Sequence, residues 1–89
     1  MRRNGFRVLA IIRVLAIIPE ERCTKNSMTD LLIDRLNANL IADTRFLSVL
    51  ELDGMKISVN KKGEIMIREF VKEEDATKLA KKIMNALEE

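Results

Sequence analysis

The chain has 89 residues, 47% of them hydrophobic, with 16 basic and 14 acidic side chains and a net charge of +2. That length makes one small domain, here taken as residues 1–89, with enough apolar content for a packed core. The absence of His, Trp and Tyr removes the commonest general base, the commonest metal ligand and the aromatic platforms on which single-strand binders stack bases.

Arg2, Arg3 and Arg7 precede an apolar run, Val8–Ile18, in the manner of a targeting segment. Arg13 interrupts that run, and the remaining pieces, Val8–Ile12 and Val14–Ile18, fall far short of the ~20 apolar residues of a spanning helix. Pro19-Glu20-Glu21-Arg22 follows in place of a small-residue cleavage site. No membrane association is expected, and a chain with Cys23 as its one thiol suits a reducing, cytoplasmic setting.

Residues 7–12 and 13–18 are an identical tandem repeat, Arg-Val-Leu-Ala-Ile-Ile. The β-branched content and the even period predict one long strand in which each residue repeats on the same face. Pro19 ends it and a polar loop follows. Ser27-x-x-Asp30 resembles a capping box, and Leu32, Leu36 and Leu40 recur at helical spacing, predicting a helix over 28–41. Ala42-Asp43-Thr44-Arg45 forms its exit.

A three-stranded meander is predicted over Phe46–Phe70, turned at Asp53-Gly54 and at Lys61-Lys62-Gly63. A last helix is predicted over 73–87. Glu73, Glu74 and Asp75 in its first turn suit the helix dipole, and Ala76, Leu79, Ala80, Ile83 and Leu87 form its buried stripe. The order is β-α-β-β-β-α, an α+β fold with two helices on one face of an antiparallel sheet.

Alternation assigns the helix-covered face to Val8, Ala10, Ile12, Val14, Leu47, Val49, Ile57, Val59, Ile65 and Ile67. The opposite face receives Leu9, Ile11, Leu15, Ile17, Phe46, Leu50, Leu52, Met66 and Phe70, with Arg7, Arg13, Lys56, Ser58, Asn60 and Arg68 among them. An apolar face of that extent is expected to meet a partner. Its cations suit phosphates or acidic side chains, and a homodimer interface covers it equally well.

The run Gly63-Glu64-Ile65-Met66-Ile67-Arg68-Glu69-Phe70-Val71-Lys72-Glu73-Glu74-Asp75, continued by Leu79-Ala80 and preceded by Arg45-Phe46, resembles one repeat of the TATA-binding protein family. Coarsely, the resemblance covers residues 7–87. It implies a half-saddle fold: strand, helix, antiparallel meander and long closing helix, with a sheet face that binds the DNA minor groove. Phe46 would match a phenylalanine that wedges between base steps. Met66 and Arg68 would stand on the groove face, where the family has Val and Thr. Asn60 would stand at or near a second wedge phenylalanine, and Lys72 replaces a helix-capping Ser. With one repeat present, a symmetric homodimer would rebuild the saddle. The chain is also similar in size and helix end, at Glu74-Asp75, to the small dimerising subunit of the KEOPS tRNA-modification complex, which implies a protein-interaction scaffold.

No enzyme, metal or cofactor is expected. Three adjacent acids at a helix start point in different directions. Lys61-Lys62-Gly63 has one glycine and no following Ser or Thr, so it makes no phosphate-cradling loop. Cys23 has cationic neighbours in sequence but no base. The reading is a non-enzymatic nucleic-acid-binding homodimer, acting on duplex DNA or structured RNA. Arg7, Arg13, Arg45, Phe46, Lys56, Ser58, Asn60, Lys62, Met66 and Arg68 are its candidate contacts, and Leu50, Leu52 and Phe70 its dimer interface. The alternative is an interaction module within a larger protein complex.

Overall fold

The computed structural model describes residues 6–11, 14–21, 23–68, 70 and 72–87. Among them the chain runs β1 (Phe6–Ile11), β2 (Val14–Pro19), α1 (Lys25–Leu36), β3 (Asn39–Asp43), β4 (Leu47–Leu52), β5 (Met55–Asn60), β6 (Ile65–Arg68) and α2 (Glu73–Leu87). The strands form one antiparallel sheet in the order β1-β2-β6-β5-β4-β3. The α+β class, the antiparallel sheet and the two helices agree with the sequence reading. The strand count does not, for two local reasons.

First, the repeated hexads form a hairpin instead of one long strand. Ile11 pairs with Val14 and Arg7 with Ile18. Ile12 and Arg13, between the strands, lie outside the described residues, and with them the expected placements of both. A twelve-residue strand exceeds the usual ~3–10 residues, and folding it back lets the second copy pair with the first. The pairing also inverts the hexad. Val8 and Ala10 share a face with Ile17 and Leu15, so equivalent residues of the two copies look in opposite directions.

Second, α1 starts and stops earlier than the leucine spacing predicts. Thr24 is its N-cap, the hydroxyl accepting from Ser27 N at 3.1 Å, so Ser27 lies inside the first turn. Asn37 ends it in the left-handed region at φ 61°, its N–H bonded to Ile33 O and the Ala38 N–H to Leu32 O. Leu40 and Ile41 are thereby freed from the helix and build β3, a strand where the leucine spacing predicts the end of the helix and its exit.

The remaining turns are as the sequence predicts. Asp53 and Gly54 both have positive φ between β4 and β5, which suits a tight hairpin turn, and Lys82 reaches the Asp53 carboxylate at 3.0 Å. Helix α2 spans its expected residues and buries Ala76, Leu79, Ala80 and Ile83.

The core lies between the helices and one sheet face. Ile17, Ile57, Val59, Ile65 and Ile67 fill it with Leu50, Met28, Leu32 and the α2 stripe. The covered face therefore receives Leu15 and Ile17 from β2, and Leu50 and Leu52 from β4. This reverses the assigned phase of both strands: Val14, Leu47 and Val49 stand on the open side. Arg35 closes the helix layer by donating to Ala86 O at 2.8 Å.

Gly63 joins β6 to this frame. Its φ is 76°, and a Cβ there would stand 2.9 Å from Cys23 Cβ and 3.1 Å from Cys23 O. Gly54 has φ 79° with open space around it. Gly63→Ala is therefore expected to lower unfolding free energy more than Gly54→Ala. The left-handed conformation alone costs each alanine about 1–2 kcal/mol, and only Gly63 adds a collision with backbone. Chemical denaturation of the two variants checks the ranking.

Candidate functional site

The open face is laid out by the pairing register. Leu9, Ala16, Met66, Ser58, Val49 and Ala42 are successive cross-strand partners, a row that crosses the whole sheet. Leu47, Val49, Ser58, Met66, Lys56 and Arg68 line a shallow depression of about 200 Å³ on it. Lys56 precedes Ile57 and Arg68 follows Ile67, and those two isoleucines are partners, so the cations are neighbours across β5 and β6. Arg7, opposite Ile18, adds a third cation. Among the described residues Glu51, the partner of Lys56, and Glu64 leave a small cationic surplus.

At the far end of β4 stands Phe46, 62% exposed. It is held out by Thr44. The Thr44 hydroxyl donates to Leu47 O at 3.0 Å and accepts from Leu47 N at 3.0 Å and Phe46 N at 3.3 Å, while Thr44 N donates to Leu47 O at 2.8 Å. The Lys61 ammonium lies 5.4 Å from the centre of the phenyl ring, within cation–π range. Arg45, in the same bend, and Lys62, beside Lys61, are exposed at this end of the sheet.

Of the expected contacts, Arg7, Lys56, Ser58, Asn60, Met66 and Arg68 share the open face, and Arg13 lies outside the described residues. Asn60 is not free to read a base edge. Its Oδ1 accepts from Lys62 N and Glu64 N, each at 3.0 Å, and its Nδ2 donates to Glu64 Oε1 at 2.8 Å, so the amide holds the β5–β6 turn together. Arg68 lies over Met66, with Nη2 3.3 Å from Sδ. The expected dimer contacts are displaced. Leu50 and Leu52 are buried beneath the helices, and Phe70 is half-buried against the same core. The cause is the phase of β4: the alternation that puts Leu47 and Val49 outside puts Leu50 and Leu52 inside.

A polar cluster that the sequence does not announce sits where α1 meets β3 and β4. The buried Lys25 ammonium donates to Asp43 Oδ1 at 2.6 Å, Asn26 Oδ1 at 3.0 Å and Ser48 Oγ at 3.3 Å, and Ser48 Oγ donates to Asp43 Oδ1 at 2.9 Å. A lysine beside a serine suggests acyl-transfer chemistry, but this geometry opposes it. Ser48 is fully buried, so no substrate carbonyl reaches its hydroxyl, and all three lysine donors are engaged, so the ammonium offers that hydroxyl no lone pair. The cluster acts as a clasp between the helix start and the sheet edge.

The hydrogen bonds from Lys25 and then Ser48 hold the Asp43 carboxyl below the ordinary carboxylate range. A carboxyl with a folded pKa below its unfolded value stabilises the fold above the unfolded value, and that contribution is lost as pH falls through the folded one. Wild type is therefore expected to lose stability relative to Asp43→Asn below about pH 4. Thermal unfolding of both proteins across the acid range measures this.

A second, larger groove of about 790 Å³ runs between the 19–24 loop and the β5–β6 turn, lined by Glu20, Glu21, Cys23, Ser27, Lys61 and Lys62 among others. Its charges are mixed, and Cys23 Sγ donates weakly to Thr24 O at 3.7 Å. Among the described residues no three His, Cys, Asp or Glu side chains converge as metal ligands would, and no helix is long and apolar enough to cross a membrane. Comparison of the chain with protein-family models, curated proteins and solved structures gave no match in any of the three.

Proposed function

We propose that the open sheet face and the Phe46 bend form a nucleic-acid-binding surface, and that the protein is a non-enzymatic binding module acting as a homodimer. The observation that carries this reading is Phe46 itself. An aromatic ring 62% exposed, fixed on a bend with four hydrogen bonds and paired with Lys61, contributes little to its own fold. It is placed as a stacking or wedging side chain is placed, beside cations that suit a phosphate backbone. Lys56 and Arg68 serve as phosphate contacts on the open face, at the end of β4 and β5 away from the bend, and Met66 as an apolar contact beside them. Duplex DNA, approached through its minor groove, and structured RNA both present the required combination.

The TATA-binding-protein resemblance supports the reading at the level of order. From β2 onward the chain runs strand, helix, antiparallel meander and closing helix, as that family's repeat does. In this reading β1 is an addition to the half-saddle. The test is a salt-titrated binding assay against duplex DNA, single strands and tRNA.

One observation favours a second reading. The centre of the open face is uncharged, running Ala16, Met66, Ser58 and Val49. A face of that kind suits a protein partner, which gives a scaffold within a larger complex. Binding that ignores salt and charge reversal would select it.

A further inference from the structure

We propose that two copies of this chain join edge to edge through β1, antiparallel and about a two-fold axis normal to the sheet, so that their open faces become one surface. This supplies the seam of the homodimer named above and rests on the nucleic-acid reading only for what the joined surface is used for.

The two edges of the sheet are built differently. An edge strand exposes unpaired backbone groups, and stable folds blunt it with charge, proline or a bulge. Strand β3 has such devices: the register shifts at Ile41, and Asp43 stands at its end, held by Lys25. Strand β1 has no bulge, its register running unbroken from Phe6 to Ile11. Its sequence from Val8 to Ile11 is uninterrupted apolar, with Arg7 as its one charge.

The helix layer also stops short of β1. Val8 and Ala10 face the helix side, opposite Ile17 and Leu15, yet Val8 is 43% exposed while its partner Ile17 is fully buried. Leu9, on the open side, is 44% exposed. Apolar residues bare on both faces, on a strand with one neighbour among the described residues, call for a second strand: a ligand or helix lying on one face would leave the other bare.

Symmetry limits the pairing of β1 with its own copy to registers in which one residue opposes itself, and we take the one centred on Leu9, the exposed apolar residue of the open side. Directly opposed residues of an antiparallel pair share a face, so a strand meets its own copy about a residue opposite itself. Centred on Leu9, Leu9 meets the partner's Leu9 on the open face and Val8 meets the partner's Ala10 on the helix side. Arg7 then stands opposite the partner's Ile11, which sets the two arginines about 13 Å apart along the seam, so the like charges do not meet. The row from Ala42 to Leu9 continues into its counterpart without a step in face. Pairing β1 with the partner's β3 would also be antiparallel, but it is head-to-tail and open-ended, and the bulge at Ile41 blocks it.

The test combines sedimentation with cross-linking. Wild type is expected to sediment as a dimer. Val8→Lys, which puts a charge on the helix side of the edge and away from the candidate binding face, is expected to give a monomer with unchanged circular dichroism and thermal unfolding. In a Cys23→Ser background, Leu9→Cys is expected to form a disulfide-linked dimer on mild oxidation, because opposed strand positions lie within disulfide reach, and Leu40→Cys is expected to stay monomeric on denaturing gels. A wild-type monomer at all concentrations, a dimer that persists in Val8→Lys, or cross-linking through Leu40→Cys in place of Leu9→Cys overturns the proposal. A dimer that binds no nucleic acid would overturn the functional reading and leave the seam standing, so the two fail separately.

Discussion

Leu50→Ala is expected to lower the unfolding free energy by about 2–5 kcal/mol, the range for emptying a close-packed site, whereas Leu47→Ala on the same strand is expected to cost under about 1 kcal/mol. Leu50 is fully buried opposite Ile57, while Leu47 is 38% exposed opposite Asn60. A domain of this size is held by roughly 5–15 kcal/mol, so the first substitution removes a large share of the total and the second little. Urea unfolding of both variants, followed by circular dichroism, gives the comparison directly. Equal costs, or the reverse order, would mean that β4 sits in the other phase, and the assignment of residues to the open face would fall with it. The pair also separates packing from assembly: Leu50→Glu would unfold the monomer, so losing the dimer with it would say nothing about an interface at Leu50.

The same strand shows what is legible in the sequence. Phe46-Leu47-Ser48-Val49-Leu50-Glu51-Leu52 is apolar on both phases, so alternation alone does not choose. The deciding signal is the polar residue on each side. Glu51 travels with Leu47 and Val49, Ser48 travels with Leu50 and Leu52, and a serine is far cheaper to bury than a carboxylate. Strand β5, with Ile57 and Val59 against Lys56, Ser58 and Asn60, carries no such conflict, and its observed phase is the expected one. The β1–β2 hairpin has no turn residue to announce it, since the chain there reads Ile-Ile-Arg-Val; only the excessive strand length points to it. The end of α1 does have a signal. Asn37 is a residue that tolerates the left-handed cap, but the leucine spacing runs past it and masks it.

Site residues divide along the same line. Lys56, Met66 and Arg68 are readable as to face because their placement follows from strand period; Phe46, assigned by the same period to the face of Leu50 and Leu52, stands instead outside β4 on the Thr44 bend, exposed. Asn60 is readable as to face and not as to role, since its amide is claimed by a turn whose hydrogen bonds depend on the loop conformation. The Lys25–Asp43–Ser48 clasp joins residues 18 and 23 positions apart, and nothing in one-dimensional spacing marks a lysine that will be buried. It matters to the site indirectly, because Asp43 precedes the Thr44 bend that holds Phe46 out.

Charge reversal at Lys56 and Arg68 is expected to have the largest effect on binding. If each engages a phosphate, Lys56→Glu with Arg68→Glu makes the plot of log affinity against log salt shallower by about 0.9 for every phosphate no longer neutralised on duplex DNA. Replacing attraction by repulsion should cost more than tenfold in affinity at low salt. The fold should tolerate it, since Lys56 and Arg68 are exposed. Phe46→Ala separates the second element of the surface. Removing a stacking or wedging ring costs about 1–3 kcal/mol, roughly 5- to 150-fold in affinity, and because the ring carries no charge the salt slope should stay as in wild type. The two variants thus leave different signatures, one in slope and one in intercept. An unchanged slope in the charge-reversed protein, together with unchanged affinity for duplex DNA, single strands and tRNA, would sink the nucleic-acid reading. The apolar row would then stand as a protein-docking face, for which the cations are rim groups whose reversal alters association rate more than affinity.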